Sequence, residues 1–181
     1  MRTHILILVW LLTINGIAGQ GHYVREQVAL TYLSQVGVKE ATGKNDGPQV
    51  ELYLRSVDLA PGAPWCAAFV SWCYTVNGVD NPKSGWSPSY FSKGKTIYTR
   101  DGEVKATPQQ GDVFGIYFSS MKRIAHVGFI HEWDSRMVVT VEGNTNDDGS
   151  REGNRVAIKR RPIRTISVSY THLRAHETVL D

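Results

Sequence analysis

Cys66 stands in Ala63-Pro64-Trp65-Cys66-Ala67-Ala68-Phe69, where a proline-broken loop passes into an apolar segment of helical period. A thiol in the first turn of a helix is a nucleophile in waiting. Unpaired N–H groups and the positive end of the helix dipole favour thiolate, lowering a pKa of about 8.5 toward neutrality. The competing reading is a cysteine that merely fills core space, and Cys73 suits that description better. Seven residues further along one helix, Cys73 lies about 10 Å from Cys66 along the axis, beyond disulfide reach. Two free thiols with different roles are therefore expected.

A nucleophilic cysteine needs a base within hydrogen-bond reach and a third group to orient that base. Of six histidines, His4 lies in an apolar leader, His22 just behind it, and His172 and His176 near the C-terminus, which leaves His126 and His131. Five apart on one predicted strand, these two face opposite sides by period-two alternation. His126 shares its face with Gly128 and Ile130, and the absent side chain at Gly128 leaves room beside the imidazole. The next predicted strand ends in Glu142-Gly143-Asn144, where Glu142 and Asn144 share a face and Gly143 permits close approach. A carboxylate or amide accepting a hydrogen bond from one ring nitrogen fixes the tautomer that turns the other toward sulfur. Helix cysteine, strand histidine and a polar residue on the following strand, in that order, is papain-like logic.

Metal chemistry is a weaker reading of the same residues. Cys66, His126 and Glu142 are all zinc-ligand types, but no Cys-x-x-Cys or His-Glu-x-x-His spacing occurs. Asn144, Asn146, Asp148 and Gly149 resemble the start of a calcium loop, yet position twelve is Arg155 instead of glutamate, so a surface turn is expected. Neither a metal nor any other cofactor is required.

These side chains must be carried by helices first and a sheet afterwards. Tyr23 to Val36 has helical apolar spacing with Gly37 as its cap, Pro48 suits the first turn of a second helix through Val57, and the third runs from Trp65 to Val76. Residues 79–110 are rich in Pro, Gly, Ser and Lys, with a short helix around Tyr90. Asp112 to Phe118, His126 to Trp133, Met137 to Glu142 and Arg155 to Arg160 read as strands bounded by turn residues. That order spells one α+β domain, N-terminal helices packed on an antiparallel sheet, in a chain of 181 residues that is 41% hydrophobic.

Charge adds little. The formal net charge is +3, and it stays there when Arg2, Arg174, Glu177 and Asp181 at the two ends are set aside. So mild a bias argues against nucleic acid as a partner and is compatible with an anionic polymer such as a cell wall. Lys159-Arg160-Arg161 is read as a solvated strand end. Residues 1–19 form a signal peptide: Arg2 and His4, the apolar run Ile5 to Ile14, then a small-x-small site at Gly16-Ile17-Ala18. Secretion or release to a periplasm follows, without stable membrane insertion after cleavage. Residues 167–181 are similar to a peptide encoded by sequencing-adapter DNA, which implies that the natural chain was cut near Ile166, with a terminal strand missing; an ordinary polar segment is the alternative.

Trp65-Cys66-Ala67, Gln110-Gly111-Asp112-Val113, Ala125-His126-Val127-Gly128 and Glu142-Gly143-Asn144 together resemble the CHAP and NlpC/P60 families of cysteine amidases and peptidases, over most of residues 23–166. The resemblance implies a papain-like domain over residues 20–166 that cleaves amide bonds of peptidoglycan, as a monomer. It is closer to CHAP because Glu142 and Asn144 are both present. Carried over, Cys66 is nucleophile, His126 general base and then acid, and Glu142 with Asn144 the orienting positions. Trp65 would wall the groove by stacking on sugar or peptide. The Cys66 backbone N–H would be one oxyanion donor, with the Asn45-Asp46-Gly47 loop a candidate for the second. Two other readings keep the scaffold: a wall-binding module with a degenerate site, and a cysteine peptidase or acyltransferase directed at proteins.

Overall fold

The structure is a computed structural model, and it describes residues 21–92, 94–102, 104–146 and 153–173. The leader (1–19), the end of the adapter-like segment (174–181) and the middle of the calcium-like run (147–152) lie outside the described residues.

Three helices lead. The first, α1, covers residues 21–34 and ends before Gly37, whose φ of 94° a side chain would strain. The second, α2 (Pro48–Arg55), opens with proline in its first turn, where the missing N–H costs nothing. The third, α3 (Cys66–Val76), follows the Pro61 to Pro64 break and stops at Asn77-Gly78. Its Ala67, Ala68, Phe69, Val70, Cys73 and Tyr74 are fully buried, as suits a helix inside the core rather than on its surface.

Six strands follow: β1 (Thr96–Thr99), β2 (Val113–Phe118), β3 (Arg123–Trp133), β4 (Met137–Thr145), β5 (Arg155–Pro162) and β6 (Val168–Tyr170). They form one sheet in the order β1-β6-β2-β3-β4-β5, with every neighbouring pair antiparallel. Helices on an antiparallel sheet make this an α+β fold, consistent with the expected papain-like arrangement. A 3-10 turn at Ser87–Tyr90 packs against β3. Among the described residues no helix is long and apolar enough to cross a membrane.

Each face of the sheet buries its own apolar set. Toward the helices, Val113, Val127, Phe129 and Val141 meet α1 and α3. Tyr32 stacks on Phe129 at 4.8 Å, while Phe69 and Tyr74 meet the same ring edge-on. Full burial of an aromatic ring contributes about 2 to 3 kcal/mol, so Phe129 with its three neighbours anchors helices to sheet. On the other face Phe114, Ile130, Val138 and Ile166 form a second cluster with Tyr98 and Trp133. Arg25 of α1 pins the start of β2: it donates to Asp112 Oδ1 at 2.8 Å and to the Gln110 carbonyl at 2.7 Å. Gly143 is required by packing, because a Cβ there would lie 2.8 Å from both Trp65 and Phe69.

Two strands depart from the sequence reading. β1 lies in the stretch taken as irregular, and β6 in the adapter-like segment. Ser169 is fully buried and donates to the Val113 carbonyl, and Leu173 joins the main core. β6 thus fills the strand position between β1 and β2.

Candidate active site

α3 begins at Cys66, with Trp65 as its N-cap residue. The cap comes from another element: the Trp65 backbone N–H donates to Asn144 Oδ1 at 3.1 Å. The Cys66 N–H lies in the first turn, where helix N–H groups have no acceptor within the helix. Cys66 is 6% exposed. Its Sγ lies 3.7 Å from Ser87 Oγ at the start of the 3-10 turn, and the His126 imidazole and the Val127 backbone are close enough to lower its pKa.

His126 joins thiol to carboxylate. Its Nε2 lies 2.8 Å from Glu142 Oε2, so Nδ1 is the nitrogen left for sulfur. Glu142 is wholly buried, and its carboxylate is saturated with donors. Arg161 makes a two-pronged contact, Nε to Oε1 and Nη2 to Oε2, both at 2.6 Å. The Thr140 hydroxyl donates to Oε1, and that of Thr145 reaches Oε2 at 3.3 Å. Five donors on one buried carboxylate hold it in a single orientation.

The charge state follows from these contacts. Burial pushes the Cys66 thiol up, but hydrogen bonds from His126, the His126 charge, Ser87 and Val127 outweigh it, and the net direction is down. Burial likewise pushes His126 down, and hydrogen bonds to Cys66 and Glu142 raise it to about 9. Glu142 would be raised by burial, yet Arg161 and His126 hold it well below the carboxylate range. The two shifts run in the directions that favour a thiolate–imidazolium pair. Cys73, fully buried with no such partner, is pushed well up by burial and is core packing.

Other expected site residues stand elsewhere or do something else. Glu142 and Asn144 do not share a face: the β4–β5 register shifts between Glu142 and Thr145, and Asn144 adopts φ 54°. Asparagine tolerates that left-handed conformation, so Glu142 meets His126 while Asn144 turns back to the start of α3. Asn144 Nδ2 donates to Asn45 Oδ1 and to the Gly153 carbonyl. Trp65 is fully buried, stacked on Tyr53 with its Nε1–H donating to Glu40 Oε1 at 2.8 Å, and therefore cannot wall a groove. The space at Gly128 is already filled, since a Cβ would meet Phe114, the Val141 carbonyl and Glu142 within 3.0 Å.

In the Asn45-Asp46-Gly47 loop the N–H groups of Asn45 and Gly47 are already engaged. Asn45 N–H donates to Glu40, Gly47 N–H to Glu51, and Asp46 accepts from Thr42. Asn45 also bonds the Gly62 carbonyl and accepts from Gly62 N–H, so this loop clamps the segment leading into α3. His131 lies on the α1 side, with Nδ1 3.0 Å from Tyr32 Oη.

Sequence reasoning missed Arg161, Thr140 and Ser87. Strand alternation carries the signal for the first two: Thr140 and Arg161 fall on the Glu142 side of β4 and β5, so a basic run at a strand end need not be solvated throughout. Ser87, ahead of Pro88, carries the Ser-Pro mark of a turn start but nothing that points to Cys66. No group of three or more potential metal ligands occurs among the described residues.

Residues 59–144, which contain Cys66, His126 and Glu142, match the family model of the CHAP domain. Over these residues the chain is similar to the CHAP domain. CHAP domains are generally hydrolases that act on peptidoglycan, and the matched segment holds α3, β2, β3 and nearly all of β4. The partly buried Arg161 on β5 lies outside it, as does α1. No curated protein and no solved structure matches the chain.

Proposed function

We propose that this CHAP-like domain is a secreted, cysteine-dependent peptidoglycan amidase or endopeptidase. The observation that carries this reading is His126, which bonds Glu142 through Nε2 and the Cys66 thiol through its other face. The Cys66 thiolate attacks the carbonyl carbon of a wall amide, and the carbonyl electrons move to oxygen to give a tetrahedral oxyanion. The Cys66 N–H at the α3 N-terminus faces that charge. As the C–N bond breaks, His126 gives its Nδ1 proton to the departing amine, leaving a thioester. Neutral His126 then takes a proton from water, which adds to the thioester, and the thiolate leaves with the acid product. Glu142 holds the ring and offsets its positive charge throughout, without itself taking the proton.

The signal-peptide pattern of residues 1–19 supports a reaction outside the cytoplasm, and the enzyme is proposed to act as a monomer. The test is digestion of purified cell wall with mass spectrometry of the released fragments. New amine and carboxyl ends should appear with the protein and vanish with Cys66→Ala, which leaves the fold intact. Lytic activity retained by that variant would overturn the proposal.

A further inference from the structure

With Trp65 buried, the aromatic surface beside the thiol comes from Trp86. Its indole is 52% exposed, and it immediately precedes Ser87, whose hydroxyl lies 3.7 Å from the Cys66 sulfur. Consecutive Cα atoms are about 3.8 Å apart, so the Trp86 backbone adjoins the residue that touches the thiol. Its backbone is held at both ends: the Trp86 N–H donates to Ser84 Oγ, and its carbonyl accepts from Ser89 N–H, each at 3.0 Å. An exposed aromatic on so constrained a backbone is a fixed surface, not a loosely attached side chain.

Arg123, three residues before His126 on β3, lies over that indole with its guanidinium carbon 4.0 Å from the ring centroid. Its Nη1 donates to the Ile124 carbonyl at 3.0 Å. No carboxylate pairs with Arg123 among the described residues, whereas Arg25 and Arg161 each have one. A guanidinium stacked flat on a tryptophan keeps the edge of its donor fork available, and that fork matches a carboxylate in geometry and charge.

We propose that Trp86 and Arg123 form a substrate subsite that takes a carboxylate-bearing residue of the wall peptide next to the scissile amide. The indole packs against the peptide, and the guanidinium pairs with the free carboxylate. This inference rests on the amide-cleaving reading above and deepens it by naming the substrate's charge. It also implies that walls whose peptide carboxylates are amidated are poorer substrates.

The test uses soluble muropeptides prepared in two forms, with the peptide carboxylates free or converted to primary amides. Binding is measured by calorimetry on the Cys66→Ala protein, and turnover on the wild type. The free form should bind roughly tenfold more tightly than the amidated one, the loss of one charge-assisted hydrogen-bonded pair. In Cys66→Ala with Arg123→Gln that preference should disappear, both forms binding at the weaker level. Trp86→Ala should weaken both forms alike. The subsite is overturned if Cys66→Ala shows no preference, or if the preference survives Arg123→Gln. The two readings fail separately: preference without wall cleavage by the wild type sinks the amidase reading alone, and cleavage without preference sinks the subsite alone.

Discussion

Asn144 accepts a hydrogen bond from the backbone N–H of Trp65 at 3.1 Å, joining the end of β4 to the residue before Cys66. The amide that might have oriented His126 instead positions the helix that carries the thiol. Removing it should displace Cys66 relative to His126. Asn144→Ala loses the bond and adds strain at a positive φ, and should cost about 1 to 2 kcal/mol of stability. Asn144→Gly relieves the strain but not the loss, so it should be the more stable variant with activity equally reduced, about tenfold or more. Thermal unfolding and wall-digestion rates separate the two effects; full activity in the glycine variant would show that the bond does not place the thiol.

The acid and base limbs of activity should belong to different residues. The rate should rise as Cys66 ionises, below the ordinary thiol range, and fall as His126 loses its proton near pH 9. Glu142 helps to raise His126, so Glu142→Gln should move the basic limb to lower pH and lower the plateau about a hundredfold. A basic limb unmoved in that variant would separate Glu142 from the titrating histidine.

Arg161 should matter to stability as well as to catalysis. Arg161→Met leaves Glu142 buried with His126 and hydroxyl partners only, at a cost of about 3 kcal/mol. Because the folded-state pKa of Glu142 is lowered, its stabilising contribution is complete above its unfolded value of about 4.3 and is lost as pH falls toward the folded one. With part of that lowering removed, acid unfolding of Arg161→Met should begin at higher pH than in the wild type. Denaturant midpoints collected from pH 7 down to pH 3 would reveal the difference, and Arg161→Lys, which keeps the charge but not the fork, should fall between.

The two thiols should differ sharply toward an alkylating reagent. Cys66 has its pKa lowered and is 6% exposed, whereas Cys73 is fully buried and pushed toward the neutral thiol. At neutral pH one equivalent of iodoacetamide should label Cys66 in the native protein and leave Cys73 until unfolding. Peptide mapping reads the ratio, and equal labelling would contradict the assignment.

The convergence of Cys66, His126 and Glu142 was legible because residue type and the element carrying each residue both leave marks in the sequence. α2 and α3 were legible within two residues from proline, glycine and helical spacing. Asn144 was misplaced because alternation assumes a regular strand, and the register shift after Glu142 is not written in residue types. Trp65 was misread for another reason: an aromatic beside a nucleophile looks like a substrate platform until Glu40, 25 residues away, is seen to satisfy its N–H. β1 and β6 escaped because short strands of Thr, Ser and Tyr acquire their burial from partners distant in sequence. Arg161 required knowing which face of β5 meets Glu142.

Gly143 touches neither the thiol nor the imidazole, yet its missing methyl sets the clearance between α3 and β4, with Trp65 and Phe69 closing over it. The spacing of nucleophile and base is thus governed from a backbone position that takes no part in the chemistry. A single added carbon would have to be absorbed by an outward shift of the helix, and the thiol would travel with it. For an engineer this makes residue 143 a mechanical stop, where one added atom alters the reach of the site without any substitution at Cys66, His126 or Glu142.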